Sequence, residues 1–418
     1  MKIKQKKASW QKLSSLGKIP HLKPARPMFL LSLVIYLLSI PDLLSARFSY
    51  TDSRGDRAGK GPYFILMNHS SFLDLKMANR ILFPHKYAIV STTDAFVGKS
   101  LLMRLIGCIP TQKFVTDVSL VMNMIRLIKK RKTSILMYPE AGYSFDGTAT
   151  VLPRKLGGMV KRLGVPVLLI RSDAGAFLRD PLYNGLRLRK VKAGADISCL
   201  LTPEEIREKS VEELDEIIDR AFSFDHFRAQ KEEGILVKEK TRALGLERVL
   251  YRCPHCERDG VMKSDGENLF CTLCGASYHL KEDGSLFRAE GEGKFTHIPD
   301  WNAWQRACVK KDLEEGKYLL ETPVSVGVIC DHKAMYMVGD GVLRHDKSGF
   351  TLTSDDSSFT YTQAPQSSYS LNVDFFFYEI GDMISIGTKD RLFYLFPKEN
   401  VPVAKARLAA EELYQMLL

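Results

Sequence analysis

Tyr63-Phe64-Ile65-Leu66-Met67-Asn68-His69-Ser70-Ser71-Phe72-Leu73-Asp74 runs from five apolar residues into a polar turn that sets a His and an Asp five positions apart. The apolar run reads as a buried strand, which puts His69 in the loop at its C-terminal end and Asp74 on the helix that follows. That placement suits a general base and its orienting carboxylate. A carboxylate on one ring nitrogen fixes the imidazole tautomer, and the other nitrogen can take a proton from a hydroxyl attacking a carbonyl. With nine His residues in the chain, roughly 0.4 such pairs arise by chance, so neighbouring segments must support the reading.

Working outward, residues 87–90 read as a strand, 97–105 as a short helix, and 117–130 as a helix capped by Thr116 or Asp117. Its apolar face is expected to carry Val118, Val121, Ile125 and Ile128. The run Lys129-Lys130-Arg131-Lys132 suits a solvated helix end stabilised by the helix dipole. Residues 134–138 read as a strand, 155–163 as a helix and 165–170 as a strand. Strand and helix alternate, which predicts an α/β layered sheet with its functional loops at one edge. Thr202-Pro203-Glu204-Glu205 starts a helical stretch that runs to about residue 235.

Three further segments fall in order along this region: Gly107-Cys108-Ile109-Pro110-Thr111-Gln112-Lys113, Tyr138-Pro139-Glu140-Ala141-Gly142-Tyr143-Ser144, and Val165-Pro166-Val167-Leu168-Leu169-Ile170. Together with His69-x4-Asp74 they make residues 60–235 similar to the glycerolipid acyltransferase superfamily, the lysophosphatidate acyltransferases and their relatives. The resemblance implies that His69 and Asp74 are catalytic and that Lys113 contacts an acceptor phosphate. It implies that Glu140 holds an acceptor hydroxyl or orders its loop, and that Asn68, Gly142 and Ser144 belong to the substrate site; the strand-loop-helix reading alone adds that N–H groups at the helix start after Asn68 stabilise the oxyanion. Two departures matter. Tyr143 stands where the family usually has Arg, and Ala141 stands where Gly usually follows the Glu. An Arg would grip a phosphate with two parallel hydrogen bonds, and Tyr brings no such charge. Lys113 could still hold a phosphate as a point charge, helped by Arg154, Lys155 or Arg171.

A chain of 418 residues suggests two or three domains, and 45% hydrophobic with 26% charged residues is an ordinary globular balance. The net charge of +11 is concentrated at the start, where Lys2, Lys4, Lys6, Lys7, Lys12, Lys18, Lys23 and Arg26 precede the first acidic residue, Asp42. A basic tail beside an apolar segment favours a membrane surface with anionic lipids. Nucleic acid is not expected as a partner, since nothing in the tail would read bases. The apolar run 28–40 ends at Pro41-Asp42 and spans about 20 Å, short of the ~30 Å hydrocarbon core. It is expected to associate with the membrane, dipping into one leaflet or continuing through Leu43-Leu44 as a kinked span; packing on the catalytic domain is the competing reading. A secretory signal is disfavoured, because the basic region is long and no Ala-x-Ala site follows. A cytoplasmic basic end places the protein at the cytoplasmic face of a membrane.

At Cys253-Pro254-His255-Cys256 the character changes, and Cys271-Thr272-Leu273-Cys274 follows. Paired Cys-x-x-Cys knuckles read as a four-thiolate Zn2+ ribbon, with Cys253, Cys256, Cys271 and Cys274 as ligands. Four thiolates leave no open position, so the zinc is expected to be structural and no cofactor is needed for catalysis. Cys108, Cys199, Cys308 and Cys330 read as ordinary buried thiols. A helix at 300–315 precedes short alternating runs separated by the turns Gly339-Asp340-Gly341 and Lys347-Ser348-Gly349, and a helix at 402–416 closes the chain. This β-rich module looks similar to pleckstrin-homology-like domains. The run Phe375-Phe376-Phe377-Tyr378 reads as core.

The expected division is a basic tail and membrane-associated helix at 1–60, an acyltransferase domain at 61–248, a zinc ribbon at 249–290 and a β-rich domain at 291–418. The resemblance implies an O-acyltransferase of phospholipid biosynthesis or remodelling. Its partners would be acyl-CoA or acyl carrier protein as donor and a lysophospholipid or glycerol phosphate as acceptor. A catalytically inactive, membrane-attached scaffold is the alternative, motivated by the altered Tyr138–Ser144 motif and opposed by the intact His69 and Asp74.

Overall fold

The computed structural model describes residues 2–418, apart from Thr116, Lys155 and Leu186 and the side chain of Ser14. In chain order, β1 (Gln5–Lys7) and α1 (Phe29–Ser45) lead into β2 (Ser49–Ser53), β3 (Phe64–Met67), α2 (Asp74–Leu82), β4 (Tyr87–Thr92), α3 (Ser100–Leu105) and β5 (Cys108–Thr111). Then come α4 (Val118–Ile125), β6 (Ser134–Met137), α5 (Leu156–Leu163), β7 (Val167–Ser172), α6 (Ala174–Arg179), β8 (Gly194–Leu201), α7 (Pro203–Glu208), α8 (Val211–Ala221) and α9 (His226–Glu232). Strands β2 to β8 form one sheet in the order β2-β8-β7-β3-β6-β4-β5. All neighbours are parallel except β7 and β8. Every residue of β3 is buried. Phe64 and Leu66 pack with Leu120, Met124 and Leu156 on one face, while Ile65 and Met67 pack with Leu43 and Met77 on the other. Burial on both faces is why this strand reads as a continuous apolar run. Because β3, β4, β5 and β6 run the same way, the segments after them, carrying His69, Lys113 and residues 138–144, gather at one sheet edge.

The helix expected at 117–130 forms, but turned from its predicted face. The Asp117 side chain caps it by accepting from the Leu120 N–H at 3.1 Å; Thr116, the other candidate cap, and Lys155, the expected start of α5, lie outside the described residues. Val118 is 70% exposed, and the buried stripe is Leu120, Met124, Leu127 and Ile128. Ile128 is buried as expected; from Arg126 to Lys130 the helix widens into a π-type turn, and it is the first two turns, before it, that face Leu120 and Met124 inward in place of Val118 and Val121.

Helix α1 does not stop at Pro41. It continues to Ser45 with the proline inside, about 26 Å at 1.5 Å per residue, and no helix among the described residues is long and apolar enough to cross a membrane. One side lies on α2 and the turn after it, with Tyr36 stacked on Phe83 at 4.4 Å and Asp42 paired with Lys76. On the other side Leu30, Leu37, Leu38 and Leu44 are each more than half exposed.

The four-stranded sheet β12-β11-β10-β9 comprises β9 (Met262–Asp265), β10 (Asn268–Cys271), β11 (Ser277–Leu280) and β12 (Leu286–Arg288). Helix α10 (Ile298–Glu314) holds it: the Trp301 indole donates to the Arg252 carbonyl at 2.9 Å, and Gln305 bonds the Arg252 N–H and the Val249 carbonyl. A larger sheet follows, built from β13 (Leu320–Ile329), β14 (Met335–Asp346), β15 (Gly349–Ser354), β16 (Thr360–Gln363), β17 (Asn372–Phe377), β18 (Gly381–Thr388) and β19 (Arg391–Pro397). Its order is β16-β15-β14-β13-β19-β18-β17, and α11 (Val403–Met416) caps β17 and β18, giving the β-rich unit with one closing helix expected from the sequence.

The basic N-terminal segment is not a separate tail. Strand β1 pairs in parallel with β14, Gln5 against Met335 through Lys7 against Met337. Trp10 is buried against Phe359 and donates its indole N–H to the Asp340 carbonyl at 3.0 Å. The lysine side chains of this segment stay on the outside. One continuous apolar cluster joins the parts of the chain, from Phe145, Phe177 and Phe227 through Tyr251 and Trp301 to Val326 and Leu395.

Candidate active site

His69 leaves the end of β3 and its Nδ1–H donates to Asp74 Oδ2 at 2.8 Å. Asp74 begins α2 and is 1% exposed. The same carboxylate oxygen accepts from the Ser70 and Ser71 N–H groups at 2.8 and 3.1 Å. Burial raises the Asp74 carboxyl above the usual carboxylate range, and the His69 ring and the two N–H groups pull it back. With Nδ1 committed, Nε2 is the nitrogen left for substrate. The ring is clamped between Tyr143, at 3.8 Å between centroids, and Tyr138, at 4.4 Å. His69 lines a cavity of about 1200 Å³.

Lys113 lines that same cavity, whereas the other predicted substrate residues brace its walls from behind. Glu140 is fully buried. It accepts from the His69 N–H at 2.8 Å and the Thr150 N–H at 3.0 Å, tying the two loops together. Burial lifts its carboxyl to about 7 against those hydrogen bonds. Of the two roles expected for Glu140, loop ordering is the one its contacts perform. Asn68 accepts from the Ser172 N–H at 2.8 Å and donates to Ser70 Oγ, fastening β3 to β7. Ser144 is buried, with its N–H on the His69 carbonyl and its hydroxyl on the Thr148 carbonyl. Gly142 packs so closely that a Cβ would lie 3.3 Å from the Phe114 ring. Nor do the N–H groups after Asn68 stand free for an oxyanion, since those of His69, Ser70 and Ser71 already have carboxylate partners.

Three supporting residues carried no sequence signal. Asp180, just beyond α6, accepts from the Ser71 hydroxyl at 2.5 Å, and burial lifts its carboxyl to about 7. His226, on α9, has Nε2 3.0 Å from Ser70 Oγ, and burial holds its ring down to about 3, so it stays neutral. Arg407, on α11, donates to the Tyr143 carbonyl at 3.4 Å. All are brought to the loop by the fold from distant positions. Arg154 lines the cavity with Lys113, whereas Arg171 instead bonds the Ala221 carbonyl.

Residues 47–170 match the family model described as Acyltransferase. The chain carries an acyltransferase domain. Among solved structures, it is similar to the crystal structure of the 1-acyl-sn-glycerophosphate (LPA) acyltransferase, PlsC, from Thermotoga maritima. The two are 16% identical over 46% of this chain and 78% of that one, with a TM-score of 0.34. No curated protein matches the chain. The matched residues run from β2 into β7 and include β3, β5 and β6, which deliver His69, Lys113 and the Tyr138–Ser144 loop.

Outside the acyltransferase domain, the sulfurs of Cys253, Cys256, Cys271 and Cys274 lie within 4.8 Å of one another, with Cys253 to Cys274 and Cys256 to Cys271 both at 3.7 Å. A tetrahedral ion with ~2.3 Å bonds to sulfur needs edges of about 3.8 Å, so the four thiols could hold a metal ion. None of them lines the cavity. Cys108, Cys199 and Cys330 are buried thiols, and Cys308 is half-buried.

Proposed function

We propose that the acyltransferase domain moves a fatty acyl group from acyl-CoA or acyl carrier protein to a hydroxyl of a lysophospholipid or glycerol phosphate. The observation that carries this reading is the His69–Asp74 hydrogen bond at the edge of a large cavity, with the ring held in one orientation by Tyr138 and Tyr143. The acceptor oxygen attacks the thioester carbonyl carbon while His69 Nε2 takes the hydroxyl proton. Collapse of the adduct breaks the carbon–sulfur bond, and the imidazolium returns its proton to the leaving thiolate. Asp74 stabilises that imidazolium through Nδ1–H. No acyl-enzyme is required. Lys113 meets the acceptor phosphate, and apolar lining from Leu120, Leu156 and Met159 suits a fatty chain.

The four cysteines hold zinc in this reading, as a closed structural site. The outward leucines of α1, together with the exposed lysines of the N-terminal segment, rest on an anionic membrane surface at the cytoplasmic face, where lysolipid acceptors reside. The test is to incubate the full chain in mixed micelles with labelled acyl-CoA or acyl carrier protein and a panel of lysophospholipids, glycerol 3-phosphate and non-phosphorylated acceptors, beside His69→Ala. Acyl product that falls by about 10²- to 10⁴-fold in the variant supports the reading; product formed equally well without the imidazole would sink it.

A further inference from the structure

Strand β17 and the turn after it, outside the residues that match the acyltransferase family, form a wall of the catalytic cavity. Val373, Phe375 and Phe377 are buried in the β-rich module, and Asp374 and Tyr378, less buried, line the cavity beside Phe375 and Phe377. The backbone here is unusual. Pairing with β18 slips between Asp374 and Phe377, and Phe376, Tyr378 and Glu379 hold φ of +56°, +46° and +67°. Non-glycine residues in the left-handed region cost about 1–2 kcal/mol each, and bulges of this kind re-aim side chains beside active sites. Phe376 anchors the bulge under the Arg248 guanidinium, 4.0 Å from ring centre.

The bulge sets a carboxylate near the phosphate-binding cation. Asp374 opens to the cavity yet is crowded by protein. Burial lifts its carboxyl to about 7, Lys113 opposes that rise, and Asp94 adds to it. The Tyr378 hydroxyl donates to Asp94 at 3.4 Å, and Asp94, Lys113 and Asp374 all line the same cavity. Among the described residues, the cavity lining carries four cationic and four acidic side chains. A phosphate monoester brings a charge of about −1.5 to −2 and wants a surplus of donors, best supplied by arginine forks. This cavity has Tyr143 where such a fork would sit and a carboxylate close to Lys113.

We propose that the acceptor is a lysophospholipid with a zwitterionic head group, its phosphodiester on Lys113 and its ammonium on Asp374, with Asp94 behind. This rests on the acyl-transfer reading of His69. The β-rich module is then the selector of the acceptor, and a cation at Asp374 holds that carboxyl ionised at neutral pH. Tyr378 offers the ammonium an aromatic wall as well.

The experiment measures kcat/KM of the full chain in mixed micelles for lysophosphatidylethanolamine, lysophosphatidylglycerol and lysophosphatidate, with one acyl donor. Wild type should favour the zwitterion at least about tenfold over lysophosphatidate. Asp374→Asn should erase that preference while raising kcat/KM for lysophosphatidate, and Asp374→Glu, which keeps the charge, should restore it. Preference for lysophosphatidate in the wild type, or equal losses for every acceptor in Asp374→Asn, overturns the proposal and leaves acyl transfer standing. Transfer to no acceptor, or transfer indifferent to His69→Ala, overturns the acyl-transfer reading and this proposal with it. The wild-type ranking is decisive even if a variant does not fold.

Discussion

At the residue scale, Asp74 does two jobs with one oxygen. It fixes the tautomer of His69 and it pins the turn through the Ser70 and Ser71 N–H groups. Asp74→Asn should therefore lower kcat by about 10²- to 10⁴-fold, with KM moved far less, because the wrong tautomer spoils proton transfer and not binding; parallel kcat and KM measurements check this. Asp180 gives a pH signature. Its carboxyl lies at about 7 in the folded protein, above the unfolded value, so the native state binds the extra proton. Its contribution to stability is complete below about pH 4 and disappears as pH rises to about 7, on the order of 1 kcal/mol per pH unit crossed. Denaturant midpoints between pH 4.5 and 8 should accordingly fall less steeply in Asp180→Asn than in the parent. The parent comparison matters, because neutral His226 acts with the opposite sign as pH falls below its unfolded value. The His69–Asp74 contact could be read because the two residues are local in sequence, and the place of Lys113 on the same cavity was expected only through the family resemblance. For Glu140 the sequence left two roles open, and the bracing contacts of Asn68 and Ser144 were not foreseen, because only contacts across loops decide whether a polar residue meets substrate or braces the loop that does.

At the element scale, what could be read was what is buried on both sides. Strands β3, β6 and β7 announce themselves as apolar runs, whereas β5 is four residues with a proline at the sheet edge and β1 is Gln-Lys-Lys. Strand β1 has no apolar pattern to detect, since its pairing with β14 uses main-chain groups. Helix α1 was legible as apolar but not in its two-sidedness. Replacing Leu37 and Leu38 by Glu should leave its packing on α2 intact and weaken binding to anionic vesicles several-fold in a sedimentation assay, since these side chains point outward. The four-cysteine unit makes a separate prediction. The protein as purified should contain about one zinc per chain by elemental analysis, and chelation should lower the melting temperature, because the knuckles and α10 share the Arg252 and Trp301 contacts.

At the scale of the whole molecule, the modules are not beads on a string. The apolar cluster that contains Phe145, Phe177 and Phe227 continues into the ribbon and the β-rich sheet, and Arg407 and β17 complete the surroundings of the cavity. A chain cut to residues 1–248 should therefore be insoluble or inactive even though it keeps His69, Asp74 and Lys113, which expression and assay of that fragment would test. Sequence reading placed these units in order and could say nothing of their contacts, because an interface between modules leaves no period in either. The pairing of Gln5–Lys7 with Met335–Met337 also has a meaning in time. A ribosome adding about 5–20 residues per second needs roughly 15–65 s to make the partner strand after the first. Throughout that interval residues 5–7 must wait without their mate, and β1 can be fastened only after residues 335–337 have been made.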